Sequence, residues 1–209
     1  MLKRAFDLIV SLILLVALSP LLLGLALAVR LSSSGPVFHR AVRIGKEGKP
    51  FTLLKFRSMV VGAPRQGPHI TRGGDPRVTP AGAFLRKYKL DELPQLVNVL
   101  RGDMSLVGPR PEDPRYVALY DAEQRRVLDI RPGITSLASI RYRDEEAILA
   151  LADDLEETYT RVVMPTKLAI DLEYIEHASL WLDLLILVRT ADAVCRPGRI
   201  PREKPVLAR

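Results

Sequence analysis

The chain has one cysteine, Cys195, and only three histidines, His39, His69 and His177, scattered over 209 residues. A lone thiol excludes an internal disulfide, and the dispersed imidazoles offer no zinc-type ligand cluster; both fit a reducing compartment. Cys195 is expected to be a buried small apolar residue rather than a reactive thiol. Aromatic residues are only 6% of the sequence. Without a stacking platform or a recognition-helix pattern, a basic chain of this kind is not expected to bind nucleic acid. Internal repeats are absent, and the GKEGK segment lacks the GxxxxGK[ST] spacing of a P-loop.

Charge is also absent, from Leu8 to Val29, in LIVSLILLVALSPLLLGLALAV. About 20 apolar residues are what a helix needs to cross a bilayer, so this segment meets a membrane. The run is longer than a usual signal-peptide core and no A-x-A-like site ends it, so it is expected to persist in the mature protein. Ser19 and Pro20 interrupt it. Proline removes a backbone donor and clashes with the preceding turn, which predicts a kink, compensated by Ser19 or by a packed neighbour. Lys3 and Arg4 precede the run and Arg30 follows it. That distribution leaves a simple span and a re-entrant helix with both ends on the cytoplasmic face equally open. The later stretch SLWLDLLILVRTADAV is broken by Asp183, Arg189 and Asp192 and reads as an amphipathic helix, suited to core packing or, through Trp181, to an interface.

The net charge of +7 belongs to the first half: residues 30–110 carry fifteen Lys and Arg against five Asp and Glu, and residues 111–209 carry fourteen against eighteen. The length predicts one globular domain. VFHRAVRIGKEGKPFTLLKFRSM reads as a hairpin turning at Gly45 to Gly48. The Gly- and Pro-rich VGAPRQGPHITRGGDP reads as a loop. Thr79 and Pro80 mark a helix start with its cap. Asp91 is placed to cap a second short helix with Pro94 in its first turn, Gly102 at its end, and Leu93, Leu96, Val97 and Leu100 as its buried stripe. MSLVGPRP reads as a short strand leading to Arg110, which is fixed between two prolines. RPGIT places Arg131 before a turn, and residues 144–177 read as two helices separated by Pro165.

In KLDELPQLVNVLRGDMSLVGPRP two adjacent carboxylates, Asp91 and Glu92, sit among Arg77, Arg86, Lys87, Lys89, Arg101 and Arg110. Helix capping alone accounts for an Asp at such a position. The surrounding cations ask for more. Carboxylates that hold Mg2+, with arginines bonded bidentately to the remaining oxygens, suit a diphosphate substrate. An ionised carboxylate is also able to attack phosphorus and form an acyl phosphate.

The SP break in the apolar helix, GPVFHRAVRIGKEGKPFTLLKFRSM, DPRVTPAGAFLRKYKLDELPQLVNVLRGDMSLVGPRP and RPGIT together closely resemble the bacterial sugar transferases, the monotopic phosphoglycosyl transferases. The resemblance runs from Met1 almost to Val194, and the lack of further transmembrane helices matches the small, minimal form. It implies an α+β, mostly helical fold with an N-terminal re-entrant membrane helix, a small β-hairpin and interface-associated amphipathic helices. The expected division is a membrane helix over 1–30, a catalytic domain on the cytoplasmic face of the bacterial inner membrane over 31–195, and a tail over 196–209. The implied reaction moves a sugar 1-phosphate from a UDP-sugar to polyprenol phosphate, with Mg2+, releasing UMP. This is the first membrane step of glycoconjugate assembly, with downstream glycosyltransferases as possible partners.

By the same resemblance, Asp91 is the nucleophile that carries the phosphosugar, and Glu92 assists through metal or proton handling. Lys55, Arg57, Arg77, Arg86, Arg110 and Arg131 are the expected phosphate and nucleotide binders. Ser19 and Pro20 match the family's helix break and decide for the re-entrant form. After PGIT the family commonly has a glycine, then AQ and a Gly-Arg pair. Here Ser136 and Ser139 stand in that region, which makes Ser136, Ser139, Arg141 and Arg143 candidates for reading the donor sugar. A rival expectation is an inactive membrane-bound scaffold that binds nucleotide sugars.

Overall fold

The computed structural model describes residues 1–63, 71 and 74–196. Most of the Gly- and Pro-rich loop, and the tail beyond Arg196, lie outside the described residues.

The apolar run forms two helices, α1 (Leu2–Ala17) and α2 (Ser19–Ser32), bent by 65° at Leu18. Neither is long and apolar enough to cross a membrane by itself. Pro20 cannot donate to the carbonyl of Val16, and the Ser19 hydroxyl takes its place at 2.8 Å. Leu12, Ile13, Val16, Leu23 and Leu27 stay exposed. The foot of α1 is instead polar and tied to the rest of the protein. Buried Asp7 accepts from Ser105 Oγ (2.8 Å) and from the Leu106 amide (3.2 Å). Lys3 pairs with Asp183 at 2.6 Å.

β1 (Phe38–Ile44) and β2 (Pro50–Phe56) form the expected antiparallel hairpin, with Phe38 opposite Phe56 and Ile44 opposite Pro50. Helix α3 (Pro80–Lys87) starts as the sequence predicts, the Thr79 side chain accepting from the Gly82 amide at 3.0 Å. Then follow a tight turn over Leu90–Glu92 and α4 (Gln95–Arg101), which ends at left-handed Gly102. The predicted stripe on α4 is only partly right: Leu96 is buried, but Gln95, Asn98 and Val99 join it in place of Val97 and Leu100. Asn98 explains this, since it crosslinks α4 to β2 by accepting from the Leu54 amide (3.0 Å) and donating to the Thr52 carbonyl (2.7 Å).

β3 (Ser105–Val107) pairs in parallel with β4 (Gly133–Thr135), a contact absent from the sequence reading. It brings GPRP beside RPGIT. Only glycine permits the approach, because a Cβ on Gly133 would lie 2.1 Å from the Gly108 nitrogen. Short helices α5 (Pro114–Val117), which packs against β1, and α6 (Leu137–Arg141) follow β3 and β4 in the chain.

The two helices expected over 144–177 are four pieces: α7 (Glu145–Leu149), α8 (Leu155–Thr158), a wide turn over Tyr159–Val163, and α9 (Met164–Glu176). Pro165 does not separate helices. It lies inside one continuous helical run over 155–176, directly after the wide turn at Tyr159–Val163, where the local widening accommodates its missing N–H. Tyr116, Leu149, Tyr159, Val163 and Leu168 pack together beneath this region.

The last helix, α10 (Leu180–Cys195), buries Asp183 and Ile186 on one face and leaves Trp181, Leu184, Leu185 and Val188 exposed on the other. The core-packing reading of this helix describes its buried face. Cys195, expected in the core, is exposed, because the end of α10 runs past the packed interior.

Candidate active site

β2, the Leu90–Glu92 turn, the GPRP loop, α7 and α9 surround one cavity of about 1370 Å³. Left-handed Lys89 (φ 55°) breaks the chain out of α3 and turns the two carboxylates inward. Asp91 and Glu92 are both buried. Asp91 caps nothing, contrary to the expectation: the tight turn and Pro94 intervene before α4, and its Oδ1 has no hydrogen-bond partner.

The two neighbours live in opposite electrostatic conditions. Glu92 accepts from Lys55 Nζ (3.0 Å) and from both terminal nitrogens of Arg110 (2.7 and 3.2 Å). Burial opposes its ionisation, but the charges of Arg110 and Lys55 outweigh burial and hold it well below the usual carboxylate range. Asp91 is pushed up, first by burial and then by the charge of Glu92, against the pull of Lys55, Lys89 and Arg86. Lys55 is itself lowered by burial, with Glu92 opposing that shift.

The expected binders are dispersed more than the sequence implied. Lys55 and Arg110 line the cavity but are held by Glu92. Arg86 lines it and pairs with Glu146 at 2.5 Å. Arg77 lines it while bonded to Asp75 at 2.6 Å and to the Ala63 carbonyl at 3.0 Å. Arg57 lies in the wall, where it donates to the Ser33 carbonyl (2.7 Å) and hydroxyl (2.9 Å) at the end of α2. Arg131 is exposed, donates to the Gly102 carbonyl at 2.9 Å and is not part of the lining. Of the candidates for sugar reading, Ser139 and Arg143 line the cavity. Ser136 is buried as the cap of α6, and Arg141 lies off the lining.

Three participants escaped the sequence reading. Lys167 lines the cavity and pairs with Glu145 at 2.5 Å. Tyr159 lines it as well, and donates its hydroxyl proton to Glu112. One turn beyond Lys167, Asp171 is buried, with Oδ1 unpartnered. Burial lifts it to about 7, against bonds from Ser136 and the Arg110 amide. The available signal was a lysine and an aspartate four apart on the apolar face of MPTKLAIDLEYIE.

The donor set accommodates Mg2+ in part. Among the described residues no three carboxylate, histidine or cysteine side chains gather as a metal cluster. Asp91 keeps a free buried oxygen, whereas both Glu92 oxygens are already bonded. One carboxylate completed by substrate phosphate and water is a usual arrangement for this ion.

A buried carboxylate with an oxygen left unbonded while its neighbour is ion-paired, in a cavity that Lys55, Arg86, Arg110 and Lys167 also line, is an arrangement suited to a phosphate-bearing ligand. The bacterial sugar transferase family model matches residues 1–197, and the chain belongs to that family. It is 40% identical over 197 residues to the UDP-N-acetylgalactosamine-undecaprenyl-phosphate N-acetylgalactosaminephosphotransferase of Aeromonas hydrophila, covering 92% of this chain and 43% of that one. To the UDP-glucose:undecaprenyl-phosphate glucose-1-phosphate transferase of Escherichia coli K12 it is 41% identical over 198 residues, covering 91% and 39%. The exopolysaccharide production protein ExoY of Sinorhizobium fredii is 37% identical over 208 residues, covering 92% and 85%. The chain thus spans about two-fifths of the length of the first two relatives.

Proposed function

We propose that the protein transfers a sugar 1-phosphate from a UDP-sugar to undecaprenyl phosphate, releasing UMP, through a covalent intermediate on Asp91. The names of the relatives support the substrate classes. The observation that carries the chemistry is the division of labour in the carboxylate pair: Glu92 is occupied by Lys55 and Arg110, and Asp91 keeps an oxygen free.

Ionised Asp91 attacks the phosphorus that bears the sugar. An aspartyl oxygen–phosphorus bond forms, the bond to the bridging oxygen breaks, and UMP leaves with the electron pair. An oxygen of polyprenol phosphate then attacks the same phosphorus and regenerates the Asp91 carboxylate. Glu92 acts as the ionised anchor that fixes Arg110 and Lys55 beside the reacting phosphate. When bound, Mg2+ supplies charge neutralisation on the diphosphate, with Asp91 as its protein ligand. Glu92 is not assigned as a ligand while its ion pairs persist.

The 65° bend, the exposed apolar residues around it and the Ser19 bond to Val16 favour a re-entrant helix with both ends on the cytoplasmic face of the inner membrane. Trp181 and Val188 give α10 an apolar face suited to the same interface. Tags at both termini are then protected from reagents added outside the cell, and outside labelling of the N-terminus would mean an ordinary span.

The transfer is tested by incubating the enzyme with each of a panel of UDP-sugars in the absence of lipid acceptor. The expected result is a protein mass increased by one sugar phosphate at position 91 with the preferred donor, followed by its loss on adding undecaprenyl phosphate. Release of UMP without an adduct at that residue defeats the covalent route. An inactive scaffold would release no UMP with any donor.

A further inference from the structure

The cavity of about 1370 Å³ exceeds the roughly 300–1,000 Å³ that one small ligand fills, and its lining is of two kinds. Around Asp91 it is ionic, with Glu92, Lys55 and Arg110. Where α1, β4, α6 and α10 border it, the lining is mainly apolar: Leu14, Ile134, Ile140, Leu187 and Val194, with Thr190 among them. Among the described residues, α10 lines the cavity through Leu187, Thr190, Ala193 and Val194, while its charged Asp183, Arg189 and Asp192 stay off the lining. Thr190 makes no polar demand there. Its hydroxyl donates to the Ile186 carbonyl (2.8 Å) and therefore accepts from the Thr135 hydroxyl (2.8 Å). An apolar chain laid over this pair strands neither proton.

The two outer helices that supply this lining also carry apolar residues outside it. Ile13 and Val16 of α1 and Leu184 and Val188 of α10 are exposed, and the helices meet in the cluster that holds Leu15, Ile186 and Leu187. The apolar lining thus adjoins the surface assigned above to the membrane interface. The chemistry of the acceptor calls for such a passage. In a polyprenol phosphate the attacking oxygen belongs to a phosphate joined directly to the first isoprene unit, with no spacer. Asp91 is only 7% exposed, so a phosphorus bonded to it lies inside the cavity. A phosphate that reaches it draws the first isoprene units out of the bilayer, and those units need apolar walls in place of lipid.

We infer that the groove between α1 and α10, walled by Leu14, Ile134, Ile140, Leu187, Thr190 and Val194, holds the first isoprene units of the acceptor while the rest of its chain stays in the bilayer. This rests on the transferase reading and gives its acceptor a place. The ionic part of the cavity is left to phosphate and nucleotide.

A prenyl phosphate bearing a diazirine near its phosphate end, photolysed with the full chain in detergent and without any UDP-sugar, tests the groove independently of turnover. Crosslinks are expected on residues 134–140 and 187–194, displaced by excess undecaprenyl phosphate and not by the same excess of phosphatidylglycerol. Val194→Glu sets a charge in the groove and is expected to weaken undecaprenyl phosphate binding about tenfold, with binding of inorganic phosphate unchanged. Arg189→Gln makes the same change in net charge at an exposed site off the lining and should alter neither. The inference is overturned if the crosslinks fall elsewhere, if phosphatidylglycerol displaces them equally, if Val194→Glu binds undecaprenyl phosphate as Arg189→Gln does, or if its binding of inorganic phosphate falls in parallel. Crosslinks in the groove of a chain that releases no UMP from any UDP-sugar refute the transferase reading alone. A sugar phosphate adduct at position 91 with crosslinks elsewhere refutes the groove alone.

Discussion

Asp91→Asn separates a reacting carboxylate from a structural one, because the two roles predict opposite changes in stability. Asp91 is 7% exposed, its Oδ1 is unpartnered, and its pKa is raised by burial and by Glu92. An orphaned buried polar atom costs about 1–3 kcal/mol, and more when charged. Removing the charge should therefore stabilise the fold by about 1 kcal/mol at pH 8, or about 2–4 °C in Tm for a chain of this size. The pH dependence has a definite sign. With the folded pKa above the unfolded value, the folded state holds the extra proton between the two, so wild-type stability falls as pH rises through that window. Below the ordinary value of 3.8 both states are protonated and the advantage of Asn disappears. Melting curves at pH 4 and pH 8, paired with UMP-release assays, measure both effects. Activity should fall by about 10⁴-fold or more, as for loss of a nucleophile. A variant that melts lower at pH 8, or that keeps its activity, refutes the reasoning and returns Asp91 to a structural role.

Lys55→Met leaves Glu92 with Arg110 alone and should destabilise by about 1–3 kcal/mol in urea unfolding, with partial recovery on adding Glu92→Gln. It also removes the leading cationic pull on Asp91, so the acid limb of the pH–rate profile moves to higher pH. Gly133→Ala drives a Cβ to 2.1 Å from the Gly108 nitrogen and should cost about 3 kcal/mol or more in the same assay, lowering activity by displacing Arg110 two residues on. Asp171, at about 7 in the folded state against an ordinary 3.8, makes stability decline from about pH 4 to pH 7. Asp171→Asn should flatten that decline in unfolding midpoints taken across the range.

Local chemistry was legible along the chain. Thr79 followed by Pro80 starts a helix wherever it stands, Gly102 ends one through its positive φ, and Gly45 to Gly48 turns a hairpin, because each depends on the backbone within a few residues. The Ser19–Pro20 break belongs to the same class, since the carbonyl that proline strands lies within reach of the adjacent hydroxyl. The carboxylate pair and its cationic surroundings were visible as composition, and the family was visible in its motifs.

Which carboxylate is free was not legible. Asp91 and Glu92 are adjacent and both acidic, and the choice falls to Lys55, 37 positions before Glu92, and Arg110, 18 after it, which the folded chain delivers to Glu92 alone. The same holds for Lys167 and Glu145, which come from separate helices, and for the β3–β4 pairing that sets GPRP beside RPGIT. The sequence by itself determined the turns, the Thr79 cap, the helix break and the inventory of charged groups; the first three have causes that act over one or two turns of chain. Only the tertiary structure decided how charge is shared among those groups, because Coulomb energy and burial depend on distance in space and not on separation along the chain.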